Sequence, residues 1–301
     1  MLLGSSTPMK PLLALLTLIF TPLALAQGAK DAPKPTQADV AYDDKNPAQV
    51  LDAYLAKKAN QPVLVYIHGG GWRAGTKASL PDLILKVIED GWANVISVEY
   101  RFTDVAPHPA QVNDCTRAIQ FIRSRAKDWN LDPDRLGVTG GSAGAHLSLW
   151  VALHDDAADP QSKDPVEHHS SRPSCAISFA GPTAWSLLAE IRHGHPAYCQ
   201  LLGYEPGTPP VEMDEEIIAD VSPITFATED DPPILLIHGD ADTTVPFAHA
   251  EALHSRLEEV GVSSKLLVVP EGTHGVARGY GKSVNSNEHA EAFLKQHLLA
   301  E

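Results

Sequence analysis

The chain has 301 residues, of which 44% are hydrophobic and 20% charged, a composition that suits a globular protein rather than a disordered or fibrous one. Its formal net charge of −15 argues against a nucleic-acid or anionic-membrane partner, because such surfaces select clustered Lys and Arg and no such cluster occurs. Length alone leaves one or two domains open, since α/β folds of about 250 residues often form one.

In chain order, the first segment reads as an export signal. Met9-Lys10 supplies a short basic start, Leu12 to Leu25 is apolar apart from Thr17, Thr21 and Pro22, and Ala24-Leu25-Ala26 offers the small residues that a signal peptidase accepts. We therefore expect cleavage after Ala26, translation from Met1 or Met9, and a periplasmic or extracellular protein. The apolar run is short for a membrane span of about 20 residues. Residues 27–48 carry Pro, Lys, Asp and Gln without periodicity and read as a linker, so the expected catalytic domain is 49–301.

Consecutive aliphatic residues at Val63 to Ile67, Val95 to Val98, Leu136 to Thr139, Ala176 to Phe179, Ile234 to Ile237 and Leu266 to Val269 predict strands buried on both faces of a parallel sheet. Between them, Val112, Cys115, Ile119 and Ile122, and later Phe247, Ala250, Leu253 and Leu257, repeat at helical spacing. The alternation predicts a doubly wound α/β fold, with ligands beyond the carboxyl ends of the strands. Two stretches break it. His154 to Ser174 is polar, and its His154, Asp155, Asp156, Asp159, Asp164, His168 and His169 match no compact metal template, so they read as a solvated loop. Residues 181–231, with apolar clusters at Trp185 to Ile191 and Tyr198 to Leu202, read as a small lid insertion. Of three cysteines, Cys115 falls on the apolar side of a helix and reads as a buried thiol, while Cys175 and Cys199 leave one bridge open.

The chemistry concentrates at strand ends. Gly140-Gly141-Ser142-Ala143-Gly144 follows one predicted strand and precedes the helical stretch Ala145 to Leu153, the pattern that sets a serine on a tight turn at a helix N-terminus. His68-Gly69-Gly70-Gly71-Trp72 follows another, and its glycines can turn N–H donors toward the oxyanion of a tetrahedral intermediate. We assign those donors to Gly70, Gly71 and Ala143, with Gly69 as the alternative to Gly70 and His68 in a structural role. A serine needs a base. His274, in a Gly-flanked loop after the last strand, fits that position, whereas His146 and His154 lie on or beside the helix after Ser142 and cannot easily turn back. Asp240 and Asp242 both follow the preceding strand. Asp242 has more loop with which to reach His274, leaving Asp240 to shape the turn.

With these residues assembled, the chain from about Val50 onward resembles the α/β-hydrolase superfamily, and within it the HGGG-motif esterases related to hormone-sensitive lipase. Val98-Glu99-Tyr100-Arg101, Asp132-Pro133-Asp134-Arg135-Leu136, and His238-Gly239 with Asp242, Val245 and Pro246 are similar to further motifs of that family. The last similarity supports Asp242 over Asp240. The compact bacterial feruloyl and acetyl-xylan esterases are the subgroup it most resembles. The resemblance implies hydrolysis of small acyl or aryl esters, including esters carried on plant polysaccharide, without metal or organic cofactor. Two positions depart from the pattern: Gly141 stands where many relatives have Asp or Glu, and Ala145 where many have Gly. The same triad serves amidases and peptidases, and a binding protein can keep the fold without turnover.

Overall fold

The computed structural model describes residues 32–189, 196–278 and 285–299. The expected export signal lies outside them. The strands are β1 Gln37–Ala41, β2 Val50–Tyr54, β3 Gln61–Ile67, β4 Asn94–Val98, β5 Leu131–Gly141, β6 Cys175–Phe179, β7 Ile234–Gly239 and β8 Ser264–Val269. They form one sheet in the order β1-β2-β4-β3-β5-β6-β7-β8. β2 runs opposite to both neighbours, and β3 to β8 are mutually parallel. The helices are α1 Asp82–Asp90, α2 Ala110–Ser124, α3 Ala126–Trp129, α4 Ala143–Leu153, α5 Ala197–Leu201, α6 Glu215–Val221, α7 Ala248–Glu259 and α8 Ser286–Leu298.

The six aliphatic runs all became strands and both helical repeats became helices, α2 and α7, but the last run, Leu266 to Val269, is not buried on both faces as expected: β8 closes the sheet as an edge strand, half-buried with Val268 exposed. Alternate residues feed two cores, as the two-residue period of a strand requires. Val63, Val65 and Ile67 face one core with α2, α4 and α7, while Leu64 and Tyr66 face the other with α1 and α8. Helix α4 is buried along all eleven residues, because the sheet covers one side and α2 with the turn Pro223–Phe226 the other. His146 donates to the Val221 carbonyl at 2.8 Å and Trp150 to the Asp220 carbonyl at 2.7 Å.

The expected linker needs correction. The stretch 27–48 is not wholly linker: Gln37–Ala41 is an edge strand, and Tyr42 behind it is buried, its hydroxyl donating to the Glu99 carbonyl at 2.8 Å. An edge strand with one covered face carries no apolar run, and in β1 only Val40 is even half-buried. Of the alternatives left open for Cys175 and Cys199, the structure shows free thiols. Cys175 lies within β6 and Cys199 in α5, and all three thiols are free and buried.

Candidate active site

The chain goes from β3 to β4 on one side, then crosses to β5 on the other side of β3. Strands β3 and β5 are therefore neighbours whose following loops part in opposite directions, the topological switch point where open α/β sheets bind ligands. Ile67 pairs with Gly140 at their carboxyl ends. The glycine-rich loop and the serine turn thus emerge side by side.

Ser142 sits at φ 53°, ψ −120°, a strained backbone for a residue with a Cβ. The turn is held by its N–H donating to the Phe179 carbonyl at 2.8 Å and by the His146 N–H donating to its carbonyl at 3.0 Å. Its hydroxyl lies 3.0 Å from His274 Nε2, and His274 Nδ1 lies 2.7 Å from Asp242 Oδ2. The carboxylate accepts the Nδ1 hydrogen, so Nε2 presents its lone pair to the serine hydroxyl. Oδ1 of Asp242 accepts the Thr244 and Val245 N–H groups at 2.8 and 3.0 Å. Burial pushes the Asp242 carboxyl up, but hydrogen bonding from His238, His274 and Val245 outweighs it and holds the group well below its ordinary value. A fixed anion therefore backs the imidazole. Asp240 is exposed and faces elsewhere, its Oδ1 accepting the Glu271 N–H at 2.6 Å, which ties the acid loop to the histidine loop.

Gly70 and Gly71 line the same cleft as Ser142, with φ 123° and 62°, and Ala143 opens α4 immediately after the serine. Gly69 packs against the elbow instead: a Cβ there would lie 2.5 Å from the Gly141 carbonyl oxygen. His68 fastens the loop. Its Nδ1 lies 2.8 Å from the Gly69 carbonyl and its Nε2 2.6 Å from Glu99 Oε1, while Glu99 Oε2 accepts the Lys77 N–H at 3.1 Å. Burial raises the Glu99 carboxyl, and the His68 hydrogen bond with the neighbouring charges brings it net below its usual value. The one sequence signal that marks Glu99 as a site residue is its position: it directly follows β4 as His68 follows β3, and Ile67 pairs with Val98.

Trp72 reaches the other way, its Nε1 donating to His146 Nδ1 at 3.1 Å. His146 is thus a neutral, buried strut, pushed down to about 3 by burial. Both departures from the family pattern have a local cause. A Cβ on Gly141 would overlap the Ala277 carbonyl oxygen, in the turn His274–Arg278 that carries the histidine. Ala145 faces Gly181, where an added Cβ would come within 2.7 Å of the alanine methyl, so the glycine stands on the opposite side of that contact.

The cleft has a volume of about 800 Å³ and is bounded by the glycine loop, the elbow, the histidine loop, and Pro182, Ala197 and Tyr198 from the stretch between β6 and β7. Trp185, of the same stretch, is fully buried against Trp72 and Tyr198, whereas the end of its apolar cluster at Ile191 lies outside the described residues.

Fold and site together define an α/β-hydrolase carrying a serine–histidine–aspartate constellation. A family model described as BD-FAE matches residues 51–257, more than half of the chain, and the chain belongs to that family. A second, described as TAP-like protein, matches residues 216–299. The chain is 30% identical over 227 residues to the probable carboxylic ester hydrolase LipM of Mycobacterium tuberculosis, covering 74% of this chain and 52% of LipM. It spans about half the length of the first curated relatives it matches. Among solved structures, a truncated carbohydrate esterase from gut microbiota superposes with TM-score 0.73 at 26% identity, covering 90% of this chain and 99% of that one. An acetyl ester-xyloside bifunctional hydrolase from Caldicellulosiruptor lactoaceticus gives TM-score 0.75 at 26% identity, covering 89% and 98%.

Proposed function

We propose that the protein hydrolyses carboxylic esters of small acyl or aryl groups through an acyl-enzyme on Ser142. The observation that carries this reading is the unbroken hydrogen-bonded line from Ser142 Oγ through His274 to Asp242. His274 Nε2 takes the hydroxyl proton as Oγ attacks the ester carbonyl, and Asp242 stabilises the imidazolium without itself becoming protonated. The N–H groups of Gly70, Gly71 and Ala143 receive the oxyanion, a contribution of about 10²- to 10³-fold in rate for each donor. The imidazolium protonates the departing alcohol. A water molecule then gives its proton to His274 and attacks the acyl carbonyl, releasing the acid and restoring the serine.

The relatives named above are esterases rather than amidases or binding proteins. The two solved carbohydrate-active neighbours support substrates that include esters on polysaccharide. The reading includes export, supported by the apolar run and the Ala24-Leu25-Ala26 site, and amino-terminal sequencing of the protein recovered outside the cytoplasm should begin at Gln27. The central test is Ser142→Ala. It should abolish hydrolysis of 4-nitrophenyl butyrate and labelling by a fluorophosphonate while leaving the unfolding midpoint in place. Retained turnover would overturn the proposal.

A further inference from the structure

The cleft beside Ser142 contains one permanently charged side chain, Arg73, and no carboxylate among its described lining residues. In a chain of net charge −15 that local imbalance is set by position. Arg73 directly follows the glycine loop. Its backbone is fixed by a tight turn in which the N–H groups of Arg73 and Ala74 both donate to the Gly70 carbonyl, at 3.3 and 3.1 Å. Its Nε lies 3.9 Å from where a Cβ on Gly71 would stand, so the guanidinium borders the candidate oxyanion donors. The side chain is exposed, and Nη1 donates to Gln200 Oε1 of α5 at 2.9 Å. That partner is neutral. Among the described residues Arg73 takes part in no ion pair, whereas Arg101, Arg117, Arg135 and Arg172 each meet an aspartate.

A guanidinium presents five donors in a planar fork that matches a carboxylate. Here one donor is used to hold the fork against α5 while its charge borders the cleft without a counter-ion among the described residues of the cleft wall. We infer that Arg73 is a specificity-determining residue that recognises a carboxylate on the substrate, so that the preferred esters are anionic ones. This inference rests on the ester-hydrolase reading above. The carboxylate is carried on the acyl or the alcohol side of the ester, and the two sources share the same recognition chemistry.

The test compares matched pairs. On the acyl side, the 4-nitrophenyl monoester of succinic acid is set against its methyl-capped neutral counterpart. On the alcohol side, 4-acetoxybenzoate is set against 4-acetoxybenzamide. In the wild-type protein we expect the anionic-to-neutral ratio of kcat/KM to exceed unity in at least one pair and to shrink with added salt. Arg73→Gln should lower that ratio about tenfold, chiefly through KM, the scale of one lost charge-assisted hydrogen bond at an accessible site. Arg73→Lys should retain part of it. The pair that responds places the carboxylate on the acyl or the alcohol side. A wild-type protein that hydrolyses the neutral esters but shows a ratio unmoved by Arg73→Gln in both pairs overturns this inference alone. A wild-type protein inert toward all four esters removes the ester-hydrolase reading with it.

Discussion

Gly141→Ala isolates the fit between the serine turn and the histidine loop. The added methyl overlaps the Ala277 carbonyl oxygen, and the two must separate by roughly 1–1.5 Å to reach ordinary van der Waals distance. The elbow side cannot yield easily, because β5 is paired on both edges and α4 is buried throughout. The displacement therefore falls on the turn His274–Arg278. His274 Nε2, now 3.0 Å from Ser142 Oγ, moves out of hydrogen-bonding range at that shift. Misplacement of a catalytic group by about 1 Å costs on the order of 10²-fold, which is about 2.7 kcal/mol of transition-state stabilisation. Steady-state hydrolysis of 4-nitrophenyl butyrate should show that loss in kcat, with the urea unfolding midpoint lowered only modestly. Gly141→Asp, which restores the residue type of many HGGG esterases, should do worse here. A Gly141→Ala variant with kcat within threefold of wild type would refute the reasoning, since it would mean that the loop tolerates the overlap without moving His274.

Three further outcomes follow from the same contacts. Asp242→Ala should lower kcat by about 10³- to 10⁴-fold, whereas Asp240→Ala, which removes only the acceptor for the Glu271 N–H, should cost less than tenfold; the reverse order in the same ester assay would exchange their roles. Gly181→Ala should destabilise the protein by about 1–3 kcal/mol through overpacking, and adding Ala145→Gly should return about 1 kcal/mol in urea titrations, whereas strict additivity would show that the two sites do not touch. Stability should fall as the pH drops below about 6.5, because burial pushes His146 down to about 3 and His249 down to about 4. The unfolded chain then binds protons that the folded protein refuses, so each imidazole subtracts about 1.4 kcal/mol per pH unit. That loss continues until the pH reaches each folded value and then levels off. Asp242, lowered from 3.8, adds to it only below about pH 3.8, where the unfolded chain's carboxyl takes up a proton that the folded one refuses. Equal urea midpoints at pH 7 and pH 5 would contradict the neutral burial of both histidines.

The parallel part of the sheet was readable because strands covered on both faces must be aliphatic at consecutive positions, and β3 to β7 are. The edge was not readable, since Gln37–Ala41 shows solvent most of its side chains and gains its place from backbone pairing with β2. Ser142, Asp242 and His274 stood out because each lies in a short loop just after a strand, a position that fixes where they point. Glu99 and Gly141 are different. Their parts depend on which loop packs against which, His68 in one case and Ala277 in the other, and no periodicity encodes that. In the sequence Arg73 is only the residue after a motif, and its neighbours in space alone distinguish it from any exposed arginine.

The complete enclosure of α4 bears on how this enzyme class can be re-engineered. Because the carbonyls of Asp220 and Val221 are acceptors for Trp150 and His146, the stretch between β6 and β7 that supplies cleft residues also serves as an outer wall of the helix that follows Ser142. A chimera that imports the equivalent segment from a related α/β-hydrolase must bring two carbonyls to the same points, or strand buried N–H groups at about 1–3 kcal/mol each. Diversity for directed evolution is therefore better introduced at single side chains facing the cleft than by exchanging the segment whole.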